Sequence, residues 1–217
     1  MAHQIEVIDL THLPPADGIL SQREQAYYKT LRFPKRQTEW LGGRIALKQL
    51  VARVLGITDL IQIEVLPQDS GKPQLLVGGK TAPVAYSITH SHGLAVAAAG
   101  AESTFLGIDL EKIEPRIEAW KNDFFHPNEL TGEGDAFLTA LWTQKEALVK
   151  LLGTGLSLRS SEVCCIHGKP RFAGRALEIY ESLGAPQITV VTEHWPGDFM
   201  FSVAEAERAI DSPNPKE

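Results

Sequence analysis

Asp109 and Glu111 stand two apart in Gly107-Ile108-Asp109-Leu110-Glu111, and Glu146 stands four before Lys150 in Trp142-Thr143-Gln144-Lys145-Glu146-Ala147-Leu148-Val149-Lys150. The first run reads as a strand. Side chains alternate faces along a strand, so both carboxylates share one face while Ile108 and Leu110 share the other. Two carboxylates on one face repel unless a cation or water lies between them. The second run reads as a helix, with a third carboxylate, Glu146, one turn before Lys150. Three acidic side chains from two elements suit a hard divalent cation such as Mg²⁺, with Mn²⁺ as the alternative. Mg²⁺ takes oxygen ligands and shares them with substrate phosphates. Lys150, on the same face, suits neutralising such a phosphate.

The helix has plainer readings too. Thr139, Thr143, Glu146 and Lys150 fall on one narrow polar stripe of the wheel, which on its own is a solvated face. Its Glu-to-Lys pair at i,i+4 is worth about 0.2–0.5 kcal/mol. Lys145 projects into the apolar arc between Leu138 and Leu152, where a lysine must snorkel or find a partner. Upstream, Lys29, Arg32, Lys35, Arg36, Arg44 and Lys48 make a basic run relieved only by Glu39. By itself this is a solvated positive face. It is also the local positive charge an acidic protein needs to hold a polyphosphate.

Four blocks in one order carry a family resemblance: Gly71-Lys72-Pro73, Ser87-Ile88-Thr89-His90-Ser91, the Gly-Ile-Asp-Leu-Glu run, and the Trp142 to Lys150 run. Together they resemble the Sfp-type 4′-phosphopantetheinyl transferases, which move phosphopantetheine from coenzyme A to a serine of a carrier protein. The resemblance implies a pseudo-symmetric monomer that binds coenzyme A at the seam of its halves. It implies that Lys29 and Arg32 meet the outer phosphate of coenzyme A, with Arg44 beside them, and that Thr89 and His90 meet the 3′-phosphate. It places Lys72 and Pro73 at the adenine end, and Lys145 as a phosphate-facing or structural residue. Asp109, Glu111 and Glu146 become the metal ligands, and Lys150 offsets charge on the leaving 3′,5′-ADP. The base that activates the carrier serine is Glu146 or a metal-bound water. Glu129, in Phe125-His126-Pro127-Asn128-Glu129, matches a further family feature and is expected to support the site from behind. No role follows for His92 or His126. The partners implied are coenzyme A and an apo acyl, polyketide or peptidyl carrier protein. Two rival functions are a degenerate module that grips coenzyme A or a carrier without turnover, and a metal-dependent phosphate-ester hydrolase.

The 217 residues carry 43% apolar side chains and a formal net charge of −6. A core is available, and nucleic acid is disfavoured as a general partner. Cys164 and Cys165 are adjacent, so they point in opposite directions on a strand and read as reduced thiols of a cytosolic protein. The N-terminus has no basic region followed by an apolar stretch, and no apolar run is long enough to span a bilayer. Neither a Rossmann nor a P-loop glycine pattern occurs.

The elements that must position these residues come in two rounds. Ser21 and Glu24 form a capping-box pattern opening a short helix. Pro34 suits the start of a longer helix running to Leu55, with Gly56 as its stop. Strands follow at 61–65, 75–77, 84–89 and 94–99. The second round opens with a strand at 106–111, then a helix from 134 to Leu152 stopped by Gly153, then strands at 163–166, 188–192 and 199–204. Trp40, Arg44, Lys48 and Leu50 match Trp142, Glu146, Lys150 and Leu152 at one offset of 102, while Gly71-Lys72-Pro73 recurs as Gly168-Lys169-Pro170 at an offset of 97. The expectation is an α+β protein of two pseudo-symmetric halves, each a long helix on a small, mainly antiparallel sheet. Residues 1–103 form the nucleotide side, 104–210 the metal side, and 211–217 a flexible tail.

Overall fold

The computed structural model describes residues 3–69, 71–154 and 158–208, so the expected tail lies outside the described residues. The chain divides into two compact units, Met1–Glu102 and Ser103–Glu217.

The N-terminal unit begins with strand β1 (Gln4–Asp9), helix α1 (Gln22–Tyr28) and helix α2 (Pro34–Leu55). Ser21 caps α1 in a closed capping box with Glu24. Proline in the first turn opens α2, where its missing N–H costs nothing. Gly56 ends it with φ 69°, a left-handed cap that glycine adopts without strain. Strands β2 (Ile63–Leu66), β3 (Gln74–Val77) and β4 (Lys80–Thr81) form a small sheet. Strands β5 (Val84–Ser91) and β6 (Leu94–Ala101) form a hairpin that β1 joins, in the order β1-β6-β5. All pairings are antiparallel. Helix α2 packs on β6 and β1. Its Ala46, Leu47, Leu50 and Val51 meet Ala97 and Ala99 of β6 and the apolar sides of β2 and β3.

The C-terminal unit repeats this plan. Strand β7 (Thr104–Lys112) is followed by α3 (Glu118–Phe124) and the long helix α4 (Asp135–Leu152), which ends on Gly153 at φ 74°. Then come the β8 (Val163–Ile166) and β9 (Lys169–Phe172) hairpin, α5 (Gly174–Ser182), and the β10 (Thr189–Trp195) and β11 (Phe199–Glu207) hairpin. The sheet order is β10-β11-β7, again antiparallel with the return strand in the middle. Helix α4 packs on β7 and β11 through Ala147, Leu148, Leu151 and Leu152.

The repeat is therefore real, but its register along the long helices is not the expected 102. The caps Gly56 and Gly153 lie 97 apart, as do Lys48 and Lys145. These two lysines make the same bonds. Lys48 Nζ donates to Glu24 and to the Ile19 carbonyl. Lys145 Nζ donates to Glu129 at 2.9 Å and to the Phe124 carbonyl at 2.7 Å. Each glutamate closes a capping box and accepts a further backbone N–H, from Val65 or from Cys165. Arg44 thus has no counterpart in Glu146, nor Lys48 in Lys150. The matching tryptophans suggested a one-turn-shifted alignment that the buried pairs overrule. Lys48 also leaves the basic run as a solvated residue, since its side chain is 0% exposed.

A candidate functional site in the C-terminal unit

Gly107 decides how α4 meets β7. A Cβ there would lie 2.0 Å from the Ala147 carbonyl oxygen and 2.5 Å from the Leu151 N. Both are helix backbone and cannot yield, so only glycine permits this approach. Alternation then puts Asp109 and Glu111 on the same face as Gly107, toward α4. Ile108 and Leu110 point the other way and are fully buried. The polar stripe of α4 consequently faces the sheet and not solvent. Thr139 and Thr143 are both 0% exposed. Thr143 Oγ1 lies 2.7 Å from Ser202 Oγ, which lies 2.8 Å from Thr192 Oγ1, to which Gln144 Nε2 donates at 2.9 Å. Ser202 sits directly across the strand pair from Asp109. This hydroxyl chain was not foreseen, because its members come from three separate elements.

On that face Lys150 Nζ donates to Asp109 Oδ1 at 2.7 Å. Asp109 is 4% exposed. The Glu146 carboxyl is pushed up to about 7, first by burial and then by the Asp109 carboxylate; Lys150 opposes this and Glu111 adds to it. Negative potential therefore concentrates where α4 crosses β7. Among the described residues no three acidic, histidine or cysteine side chains are already drawn into a metal cage. The donor set nevertheless fits a hard divalent cation: three carboxylates that offer only oxygen ligands. Glu146 also lines a cavity of about 150 Å³ with Phe124, Trp142, Lys145, Val149 and Val163.

Lys145 requires a correction. It is 2% exposed and its ammonium serves Glu129 and a backbone carbonyl, so it holds α4 to the preceding segment as an internal counterion. That is its structural alternative, not an outward phosphate contact. Glu129 is 1% exposed and accepts from that ammonium.

The remaining expected residues lie in the N-terminal unit. Lys29 is the C-cap of α1, and Lys29 and Arg32 are exposed. Arg44 stacks over the Trp40 ring at 4.1 Å, and its Nε is buried with no hydrogen-bond partner among the described residues. Burial pulls its guanidinium down to about 10. Lys72 lies over the Tyr86 ring at 4.9 Å, and the Pro73 carbonyl accepts from the Tyr86 hydroxyl. Tyr86 and His90 share the α2 face of β5, and His90 Nδ1 is 3.9 Å from Glu39. Thr89, its neighbour, points to the opposite face and is 4% exposed, so the two side chains do not converge as the resemblance implied.

Comparison with known proteins covers both units. Residues 105–195 match the family model of the 4′-phosphopantetheinyl transferase superfamily. Residues 24–100 match that of the 4′-phosphopantetheinyl transferase N-terminal domain. A Geobacillus holo-[acyl-carrier-protein] synthase is 34% identical over 86 residues, 37% of this chain and 71% of the synthase. The chain belongs to the 4′-phosphopantetheinyl transferase superfamily. A Synechocystis protein named as a 4′-phosphopantetheinyl transferase is 31% identical over 155 residues, 67% of this chain. The match spans 61% of that relative's length. The Chronobacterium ammoniagenes ACPS–CoA complex aligns over 49% of this chain and 98% of its own, at 19% identity and a TM-score of 0.39. The superfamily match encloses Asp109, Glu111, Glu146 and Lys150, and the N-terminal match encloses Lys29 through His90.

Proposed function

We propose that the protein transfers 4′-phosphopantetheine from coenzyme A to a serine hydroxyl of an apo carrier protein and releases 3′,5′-ADP. The observation that carries this is the buried Glu146 carboxyl, pushed up to about 7 beside the Asp109–Lys150 pair, inside the residues that match the transferase superfamily. A carboxyl near 7 is poised to take a proton from a serine at neutral pH. Lys150 is the cation within reach of the same face, and it suits the charge that builds on the departing phosphate. Asp109, Glu111 and Glu146 would hold Mg²⁺, or Mn²⁺, which supplies Lewis-acid stabilisation of a pyrophosphate when bound. In the N-terminal unit the buried Arg44 Nε has no hydrogen-bond partner among the described residues, and a phosphate of the donor would supply one. Lys29, Arg32, Lys72, Pro73 and His90 are assigned to the nucleotide end of the donor with it. The two free cysteines suit work in the reducing cytoplasm. Among the described residues no helix is long and apolar enough to cross a membrane.

The test is to incubate the protein with coenzyme A, Mg²⁺ and an apo carrier protein and to weigh the carrier. A gain of one phosphopantetheine is the expected result. An unchanged carrier with intact coenzyme A indicates a binding module. Loss of coenzyme A without any gain on the carrier indicates a hydrolase.

A further inference from the structure

The buried pair of Glu24 and Lys48 is unused by the chemistry above, yet it lies one helical turn from Arg44. Both side chains are 0% exposed. A buried ion pair gives little net stability for its desolvation cost, and apolar side chains of the same size would serve as well or better. What the pair does provide is geometry. Glu24 accepts from Ser21 N at 2.8 Å and from Val65 N at 2.9 Å, and Lys48 adds its bonds to Glu24 and Ile19. One point therefore fixes α1, α2, β2 and the segment before α1. From α1, Tyr27 and Tyr28 reach Trp40 at 5.5 and 5.8 Å between ring centres. Trp40 is the platform on which Arg44 stacks. A shift of α1 would tilt Trp40 and carry the guanidinium with it.

We propose that Glu24 and Lys48 are positioning residues that aim Arg44 at the phosphate of the donor nucleotide. The same bonding pattern recurs in the C-terminal unit as Glu129 with Lys145. Each unit thus anchors its long helix with one buried glutamate and one buried lysine. The glutamate also helps hold the guanidinium charged, since Glu24 opposes the effect of burial on Arg44.

The inference rests on the reading of Arg44 as a donor-phosphate contact, and the experiment separates the two. Transfer is measured with coenzyme A and with 3′-dephospho-coenzyme A for Lys48→Met, for the double variant Glu24→Gln/Lys48→Met, and for Arg44→Ala. The double variant removes both charges and keeps one amide oxygen, which can accept from one of the two backbone N–H groups that Glu24 serves. The expected result is a rise of about fivefold or more in the KM for coenzyme A, with kcat nearly unchanged and the preference over the dephospho donor reduced. A lowered Tm with an unchanged KM for coenzyme A would show a purely structural pair and overturn the proposal. If both Lys48 variants fail to fold, Tyr28→Leu decides. It loosens the link to Trp40 without touching the buried charges, and an unmoved KM there also overturns the proposal. If Arg44→Ala itself leaves donor preference unchanged, the reading of Arg44 fails, and the positioning role falls with it.

Discussion

Lys150 reaches Asp109 across the packing face of α4 and β7, and Arg53 reaches Glu6 at the equivalent place in the N-terminal unit, both at 2.7 Å. Arg53 and Lys150 lie 97 apart, in the register of the buried lysines. Glu6 pairs with the fourth residue of β6, and Asp109 with the fourth residue of β11. The two pairs differ in setting. The Arg53 side chain is 52% exposed and that of Glu6 22%, against 27% and 6% for the side chains of Lys150 and Asp109. An exposed pair is worth about 0–1 kcal/mol, whereas a sheltered one has stronger electrostatic reach. Beside the sheltered pair stands Glu146; at the same step of α2 stands Gln49. The ion pair is thus common to both units, and the carboxylate cluster belongs to one.

Asp109→Ala is expected to lower kcat by about a hundredfold or more, the scale on which a single electrostatic group acts in a reaction centre. It should leave far-ultraviolet circular dichroism unchanged. The carboxylate carries charge but fills no apolar core. Activity within a few-fold of wild type would remove the centre from this face.

Gly107→Ala is expected to lose both stability and activity. The new Cβ meets the carbonyl of Ala147 and the N of Leu151, so α4 must move off β7. Overpacking of this kind costs about 1–3 kcal/mol, and the movement separates Glu146 from Asp109. Thermal melting and steady-state transfer should fall together. A wild-type Tm would show that the helix approach is not constrained here.

Element ends marked by proline or glycine were legible in the sequence. Pro34 and Gly56 bound α2, and Gly153 ends α4, because those residues restrict or free φ locally. The shared face of Asp109 and Glu111 followed from strand alternation alone. Strand β1 was not singled out, and neither was α5; both are short and rely on neighbours for burial. The α4 stripe looked solvent-facing because its partners, Ser202 and Thr192, lie about fifty or more residues downstream. Lys48 carried a usable signal: it sits among Ala46, Leu47, Leu50 and Val51, as Lys145 sits among Leu138, Leu141 and Leu148. That signal was masked by counting Lys48 with the basic run. Bonding to Glu24 and Glu129, not letter identity, fixes the repeat.

The Cys165 thiol gives a pH-dependent outcome. Burial, then the Glu129 carboxylate, pushes it from 9.0 up to about 11. The unfolded thiol ionises first as pH rises, so this group subtracts stability between about pH 9 and 11 and is neutral in effect below that. Iodoacetamide at pH 8 should leave Cys165 unmodified in the folded protein and modify it quickly in urea. Rapid alkylation of the folded protein at Cys165, located by peptide mass, would contradict its burial on β8.

Lys145→Met is expected to be the most destabilising of these changes. It leaves the Glu129 carboxylate inside the protein with backbone N–H partners from His126 and Cys165 but no counterion. Removing one partner of a buried pair costs about 3–5 kcal/mol, most of it the uncompensated charge left behind. Adding Glu129→Gln should recover part of that loss, because no charge remains and the amide oxygen still accepts from one of the two backbone N–H groups. Urea denaturation of the two variants measures the difference. Recovery of stability without recovery of transfer would mean that the pair sets the position of Glu146 on α4. Equal stability for the single and double variants would mean that Glu129 is not ionised in the folded protein.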